Sequence, residues 1–160
     1  MRLHVAAIGK LKSGPEKMLA HDYTSRIEAM GRKAGINVLR ISDFSESQAQ
    51  SAGQRMAEEA EMLWASLPRP SHVIALDERG PSISSEALAQ RIAKHASQST
   101  TDLAFLIGGA DGHDPQTRTK ANELISFGAM TWPHRLVRIM LLEQIYRSVT
   151  ILINHPYHRP

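Results

Sequence analysis

The sequence predicts an α/β fold, in which a mostly parallel sheet is covered by helices on both faces. Short apolar runs alternate along the chain with longer segments that carry helix-start signals. With 160 residues, of which 42% are hydrophobic, the chain has the size and composition of one compact domain, expected to span 1–160.

Four apolar runs are predicted to be strands, because each is short and is bounded by polar or turn-forming residues. They are Leu3–Ile8, Ile36–Ile41, His72–Asp77 and Leu103–Ile107. The last run is the clearest buried strand, since it holds no polar residue and ends at a pair of glycines. A further short extended piece is predicted at Gly128–Thr131.

Helices are predicted between these strands. The first begins near Pro15 and ends at Met30, the second runs over Ser45–Leu67, and the third runs from Ser84 to about His95. A short helix is expected to follow Asp114-Pro115, and the longest is predicted from His134 to about Ile153.

The last helix is apolar on more than one side. A stripe at helical spacing is joined by further apolar residues that extend around the cylinder; the stripe comprises Val137, Leu141, Ile145, Val149 and Leu152. Such a helix is buried on two sides, and in a small domain a twofold partner is one way to bury the second. The alternative is a central core helix of a monomer.

Composition excludes several classes of protein. The chain has no cysteine, which rules out disulfides, a thiolate nucleophile and a cysteine-based zinc site. No signal peptide or membrane-length apolar run is evident, so a cytoplasmic protein with no membrane association is expected. The net charge of +3 is a mild bias toward anionic partners.

A glycine-rich turn, Leu106–Gly112, follows the clearest strand directly. Ligands of open α/β sheets bind beyond the carboxyl ends of strands, where glycines permit close approach to the backbone. The alternative is a tight turn that merely requires positive φ angles. The spacing matches neither a dinucleotide-binding fingerprint nor a phosphate-binding loop, so nicotinamide and nucleoside triphosphates are disfavoured.

The segment Gly128–Pro133 is neutral and ends at the start of the last helix. Its backbone groups suit an aromatic, uncharged ring such as adenine. The alternative interpretation is a strand followed by an ordinary helix start with proline in the first turn.

Basic and aromatic side chains gather near the end of the chain. Arg135 and Arg138 share one face of the last helix and are predicted to hold phosphate, although a solvated rim would look the same. The tail contributes His155, Tyr157, His158 and Arg159, a set that suits RNA, unless it is merely a disordered basic end. No metal is expected, because no further ligands accompany the two tail histidines and a capped turn explains Asp111, His113 and Asp114.

Three motifs together resemble the bacterial ribosomal large-subunit methyltransferase H family. They are LIGGADG at 106–112, TWPHRLVRIMLLEQIYR at 131–147 and NHPYHR at 154–159. The resemblance implies a SPOUT methyltransferase with a deep trefoil knot near the C-terminus, homodimeric and dependent on S-adenosylmethionine. It also implies N3-methylation of a pseudouridine in helix 69 of 23S rRNA on assembled ribosomes.

Carried over by motif, the cofactor pocket comprises Leu76, Gly109, Gly128, Ala129, Met130, Thr131, Trp132 and Pro133. Arg135 departs from the family pattern, which leaves its role open.

Residue chemistry adds a hypothesis about catalysis. We expect the tail of one subunit to complete the partner's pocket, with His155 or His158 removing the proton and Tyr157 stacking on or orienting the base. Arg138 and Arg159 are expected to hold RNA phosphates. The alternatives are a SPOUT methyltransferase acting on tRNA or free rRNA, and a non-catalytic ribosome-binding factor; a nucleotide-binding regulator is disfavoured.

Overall fold

The computed structural model describes residues 1–98 and 100–159. Within these ranges, five strands form one parallel sheet, in the order β2-β1-β4-β3-β5. The strands are β1 (Arg2–Ile8), β2 (Val38–Phe44), β3 (His72–Leu76), β4 (Asp102–Ile107) and β5 (Glu123–Ile125). The α-helices are α1 (Pro15–Met30), α2 (Ala52–Ala65), α3 (Ser85–Ser97), α4 (Pro115–Lys120) and α5 (His134–Leu152), and a 3-10 turn, Gly31–Ala34, follows α1.

Alternate residues of the central strands pack on opposite faces of the sheet. Leu3 and Phe105 belong to the larger apolar core, where α1, α3 and α5 contribute side chains. Ala6 and Leu106 belong to a second core, which includes Leu63 of α2. Because both of its faces are covered, the central strand β4 is apolar from Leu103 to Ile107, as the sequence pattern predicts for an α/β fold.

Side-chain caps define where the helices begin. The hydroxyl of Ser51 accepts the N–H of Gln54 at 3.2 Å at the start of α2. At the start of α4, Asp114 accepts the N–H of Thr117 at 2.8 Å, so the capped turn predicted there is confirmed. The prediction that the second helix begins at Ser45 is wrong, because the polar stretch before Ser51 is not helical.

The strand predictions need two corrections. β2 begins two residues later than expected, at Val38, and continues to Phe44. The extended piece predicted at 128–131 is not a strand; instead Glu123–Ile125 pairs with residues 74–76 of β3 as an edge strand. A strand of three residues shows too little alternation to be recognised in the sequence.

Helix α5 lies against α1 and α3 in the same chain. Its predicted stripe is fully buried at Leu141, Ile145 and Val149, and Tyr146 is buried as well. Helices α1 and α3 therefore cover much of the apolar surface of α5 within one chain, as the monomer interpretation allows. Leu136 on α5 and Met18 on α1 are exposed at 41% and 74%, so apolar surface remains on both helices.

Candidate active site at the carboxyl ends of the strands

The carboxyl ends of β3, β4 and β5 open into one cavity of about 260 Å³. Parallel strands end at the same edge of a sheet, and that edge is where α/β proteins bind ligands. The walls come from the residues that follow each strand: Asp77 and Glu78 after β3, 108–112 after β4, and 126–128 with 130–132 after β5. Three separate stretches of sequence thus meet at one site.

The glycine-rich turn after β4 needs glycine for packing as well as for backbone conformation. A Cβ on Gly108 would lie 2.9 Å from the backbone carbon of Gly112, and a Cβ on Gly109 would lie 2.5 Å from Oε2 of Glu59. Gly112 itself has φ of +78°, and its N–H donates to the carbonyl of Gly109 at 3.0 Å. The tight-turn interpretation is therefore confirmed, and the turn also lines the cavity, a position that the ligand-binding prediction requires.

Helix α2 supports the glycine turn from behind. Glu59 is buried, and its Oε1 accepts the N–H of Ser47 at 3.0 Å. Its Oε2 faces Gly109 and has no hydrogen-bond partner among the described residues. Burial raises the pKa of the Glu59 carboxyl above its ordinary value. One turn earlier, Arg55 pairs with Asp111 at 2.7 Å, so α2 contacts the turn at two points.

A buried ion pair forms another part of the cavity wall. Asp77 accepts hydrogen bonds from Nε of Arg118 at 2.7 Å and from the N–H of Arg79 at 3.0 Å. Burial alone would raise the pKa of the Asp77 carboxyl, but these hydrogen bonds and the charge of Arg118 outweigh it and lower the pKa. Sequence reasoning missed both Glu59 and this pair, and the one available signal was the position of Asp77 directly after a strand.

Six of the eight residues predicted to bind the cofactor line the cavity: Leu76, Gly109, Gly128, Met130, Thr131 and Trp132. Ala129 and Pro133 lie in the same segment but are exposed and do not line it. Gly128 has φ of +105°, and the hydroxyl of Ser126 brackets it by donating to its carbonyl at 2.9 Å and accepting its N–H at 3.1 Å. The segment is a shaped loop rather than a strand.

Two apolar side chains of this loop are exposed beside the cavity. Met130 is 72% exposed and Trp132 is 39% exposed. Apolar side chains that remain in solvent around a cavity are typical of a surface that binds a ligand or a partner.

The first turn of α5 connects the cavity to the ends of β1 and β2. The ring of His134 lines the cavity and packs so closely against Gly9 that a Cβ there would overlap Nε2. Nε2 of His134 is 3.0 Å from a carboxylate oxygen of Glu46. Burial lowers the pKa of His134 despite this carboxylate, so the imidazole is neutral over most of the physiological range.

The prediction that Arg138 contacts RNA phosphate is wrong. The residue is 2% exposed, its NH1 group is 3.0 Å from Oδ2 of Asp43, and its NH2 group donates to the carbonyl of Gly9. A guanidinium that is enclosed and paired in this way joins α5 to the ends of two strands. Arg135, three residues earlier, is exposed and available to a partner.

The tail folds back onto the second half of α5. The hydroxyl of Tyr157 donates to Glu143 at 3.1 Å, and its ring lies 4.7 Å from that of Tyr146. Burial, with contributions from Tyr23 and Glu143, raises the pKa of Tyr157 to about 12. The phenol therefore stays protonated at neutral pH and acts as a hydrogen-bond donor.

The two tail histidines have different surroundings. His155 is exposed, and its Nδ1 accepts the N–H of Tyr157 at 3.2 Å. Nε2 of His158 is 3.0 Å from a carboxylate oxygen of Glu86, whereas its Nδ1 is buried and has no partner among the described residues. Arg159 is exposed.

One chain does not bring the tail and the cavity together. Tyr157 docks on Glu143, which is six residues along α5 from Val137 in the cavity wall, and a rise of 1.5 Å per residue separates those two by about 9 Å. None of His155, Tyr157, His158 and Arg159 lines the cavity.

The helices in the described part of the chain include none with the length and apolar character of a membrane span.

Residues 1–158 match the family model described as predicted SPOUT methyltransferase. A protein of Rhodopseudomonas palustris (strain HaA2) named ribosomal RNA large subunit methyltransferase H is 52% identical over 159 residues, which cover 99% of each chain. A protein of the same name from Bradyrhizobium sp. (strain ORS 278) is 50% identical, covering 99% of this chain and 98% of its own.

A solved structure, the SpoU methyltransferase AviRb from Streptomyces viridochromogenes in complex with the cofactor AdoMet, is also similar. It is 14% identical, and the match covers 90% of this chain and 56% of that one with a TM-score of 0.40.

Proposed function

Because this chain belongs to the SPOUT methyltransferase family, we propose that it transfers a methyl group from S-adenosylmethionine to 23S ribosomal RNA. The proposed target is N3 of a pseudouridine in helix 69, modified on assembled ribosomes in the cytoplasm by a homodimer. The observation that carries the proposal is the cavity at the ends of β3, β4 and β5, where six residues expected from the family motif meet.

The cavity suits this cofactor. Its glycine wall offers backbone groups without side chains, and its rim carries the carboxylates of Glu78 and Asp111. Carboxylates favour the positive charge of a sulfonium and of an ammonium group, whereas the neutral loop around Gly128 and Thr131 suits an aromatic base. When bound, the cofactor supplies an electrophilic methyl group.

The chain must supply alignment and a route for the proton. The imide N3–H of a pseudouridine is weakly acidic, so catalysis requires a base or stabilisation of the imide anion beside the methyl group. Positioning and general base action each contribute several powers of ten to such reactions.

Either His155 or His158 is proposed as the base, and each would need a rearrangement to act. Nε2 of His158 is 3.0 Å from a carboxylate oxygen of Glu86, and its Nδ1 is buried, so that nitrogen must be uncovered before it can accept a proton. Nδ1 of His155 already accepts the N–H of Tyr157. A carboxylate that fixes the tautomer of a histidine is a recurrent arrangement in acid–base catalysis.

The remaining tail groups suit RNA. The hydroxyl of Tyr157 already donates to Glu143, so its proposed contact with the target base is through the aromatic ring. Arg135 and Arg159 are exposed and are proposed to contact phosphates. Such contacts weaken as salt rises, so binding to ribosomes should fall steeply with ionic strength.

The tail is proposed to act on the cavity of the partner subunit. In one chain it docks about 9 Å along α5 from Val137 in the cavity wall, and none of His155, Tyr157, His158 and Arg159 lines the cavity, so a second copy is the simplest source of a tail within the site. The deep trefoil knot near the C-terminus is part of the proposal, on the strength of the family resemblance.

The function is tested by mapping methyl groups on large-subunit rRNA from cells that lack this protein. The proposal predicts loss of one methyl group in helix 69, restored by the wild-type gene. Free rRNA, isolated subunits and whole ribosomes are then compared as acceptors in vitro, with whole ribosomes expected to be the best. Faster methylation of tRNA or of free rRNA than of whole ribosomes would instead favour a different RNA substrate. No cofactor binding at millimolar concentration would favour a non-catalytic ribosome factor.

The tail is tested separately by truncation after Ile153. The truncated chain is expected to fold and to bind the cofactor but to lose methyl transfer. Full activity in a folded, dimeric truncated chain would refute the assignment. Mixing this chain with a Gly109→Ala variant should restore part of the activity, because one subunit then supplies an intact cavity and the other an intact tail.

A further inference from the structure

A second cluster of titratable side chains lies at the opposite edge of the sheet from the cavity. His72 is the first residue of β3, Glu123 is the first of β5, and His95 lies near the end of α3. Four strand steps of about 3.3 Å separate His72 from Leu76 at the cavity, about 13 Å in total. The cluster is therefore distinct from the proposed methyltransferase site.

The three side chains point at one another. Nε2 of His72 is 3.1 Å from Oε1 of Glu123, and Nε2 of His95 is 3.9 Å from the same oxygen. One ligand atom from each residue lies within 4.8 Å of the other two, and the imidazole rings are 4.0 Å apart between centroids. This is close to the spacing of ligands around a bound ion.

From this geometry we propose that His72, His95 and Glu123 bind a divalent transition metal ion of the zinc class. Bonds of 2.0–2.1 Å in a tetrahedral zinc site put neighbouring ligands about 3.3 Å apart. The distance from His72 to Glu123 already fits, and His95 must approach Glu123 by about 0.6 Å. Water takes the fourth position. Imidazole and carboxylate ligands favour zinc and its neighbours over magnesium, which prefers oxygen.

The groups around the cluster orient its members. Arg91 holds Oε2 of Glu123 at 3.0 Å, which leaves Oε1 directed at the two imidazoles. Nδ1 of His95 is 3.3 Å from the hydroxyl of Thr100, which leaves Nε2 for the ion. Outer partners of this kind fix ligands in known metal sites.

Two positive charges set the expected strength of binding. Arg91 and Lys94 line the same surface cavity as the three ligands, and both repel a cation. We therefore expect a reversible site, weaker than the closed four-ligand sites that hold zinc permanently.

A bound ion would join β3, α3 and β5, and β5 leads directly into the loop around Gly128. Metal binding should therefore stabilise the fold by linkage.

The test uses the purified full chain after removal of metals with a chelator. Titration with Zn²⁺ in a calorimeter should give one site per chain, and the melting temperature should rise with Zn²⁺ but not with Mg²⁺. His72→Gln, His95→Gln and Glu123→Gln should each weaken Zn²⁺ binding at least tenfold. His21→Gln changes an exposed histidine on α1 and should leave binding unchanged. Circular dichroism verifies that each variant is folded.

Cobalt gives a second readout that does not depend on stability. Co²⁺ bound at this site should show the intense visible absorption of tetrahedral coordination, and His72→Gln should abolish it. His72 is partly exposed, so this variant is expected to fold even if the buried His95 variant does not. The proposal is overturned if the wild-type chain binds no Zn²⁺ at millimolar concentration. It is equally overturned if the three variants keep wild-type binding while His155→Gln or His158→Gln loses it. Neither result bears on methyl transfer.

Discussion

Gly109→Ala is the substitution that tests most directly how the cavity wall is built. The added Cβ would lie 2.5 Å from Oε2 of Glu59 and 3.0 Å from Cγ2 of Ile8. Ordinary contact begins at 3.4 Å, so the two groups must separate by about 0.9 Å. Glu59 is buried and cannot swing into solvent, so the glycine turn itself must move.

The expected cost has two parts. Overpacking of this kind destabilises proteins by about 1–3 kcal/mol. A shift of almost 1 Å in a wall of the site should also weaken binding of S-adenosylmethionine at least tenfold, since misplacement of about 1 Å can cost about 10²-fold in function. Urea denaturation measures the first effect and calorimetry measures the second.

Matched variants test whether the contact between the added Cβ and Glu59 causes the loss of stability and of cofactor binding. Gly53→Ala places a Cβ in open space in α2 and should stabilise the chain by about 0.5–1 kcal/mol. Glu59→Ala should relieve part of the effect of Gly109→Ala, whereas the isosteric Glu59→Gln should not. The double-mutant cycle with Glu59→Ala should thus show coupling of at least about 0.5 kcal/mol. Additive effects, or wild-type cofactor binding by Gly109→Ala, would refute the reasoning.

Three further predictions concern groups around the site. Replacing the buried Arg138 by methionine should cost about 1–3 kcal/mol in urea denaturation, because it leaves the buried carbonyl of Gly9 without this donor and the half-exposed Asp43 without its ion pair, whereas the same change at the exposed Arg135 should cost less than about 0.5 kcal/mol. The pKa of Glu59 is raised in the folded chain, so its contribution to the free energy of unfolding is largest below the unfolded pKa and declines as pH rises through the folded pKa. Glu59→Gln should remove this decline. Equal dependence of stability on pH in the wild-type chain and in Glu59→Gln would contradict the reasoning. Tyr157→Phe removes the hydrogen bond to Glu143 but keeps the ring, and it should lower the free energy of unfolding by about 0.5–1.5 kcal/mol. The tail should detach more often, so proteases should cleave it faster. Unchanged cleavage would count against the docking of the tail on α5.

Features that depend on short-range pattern could be predicted from the sequence. The buried strand at 103–107 and the cap at Asp114 both occur as expected, because apolar runs and capping residues act within a few positions. The start of α2 was missed, since the polar stretch before Ser51 is compatible with a helix surface. The edge strand at 123–125 was missed because it depends on pairing with β3, which is distant in sequence.

Contacts between distant residues account for the errors in the site. Arg138 and Arg135 look alike in the sequence, and only the fold brings Asp43, 95 residues away, to enclose Arg138. Glu59 becomes a neighbour of the glycine turn only when α2 packs on the sheet. His72 and Glu123 are 51 residues apart and meet because β5 pairs with β3, which places Glu123 opposite Ile74, two residues from His72. Periodicity carries no information about such pairs.

The position of the tail has a consequence for how the proposed reaction is organised. To reach the cavity of its own chain, the tail would have to leave α5 and lose the Tyr157 hydrogen bond, the contact with Tyr146 and the pairing of His158 with Glu86. Contacts of these kinds together are worth about 1–4 kcal/mol, so the detached state would hold at most about a sixth of the molecules, and far fewer at the upper figure. A tail that stays docked and faces the cavity of a second copy avoids that cost. Exposed Met130 and Trp132 beside the cavity are apolar groups that such a copy would cover. The energetics of one chain therefore favour a site assembled from two.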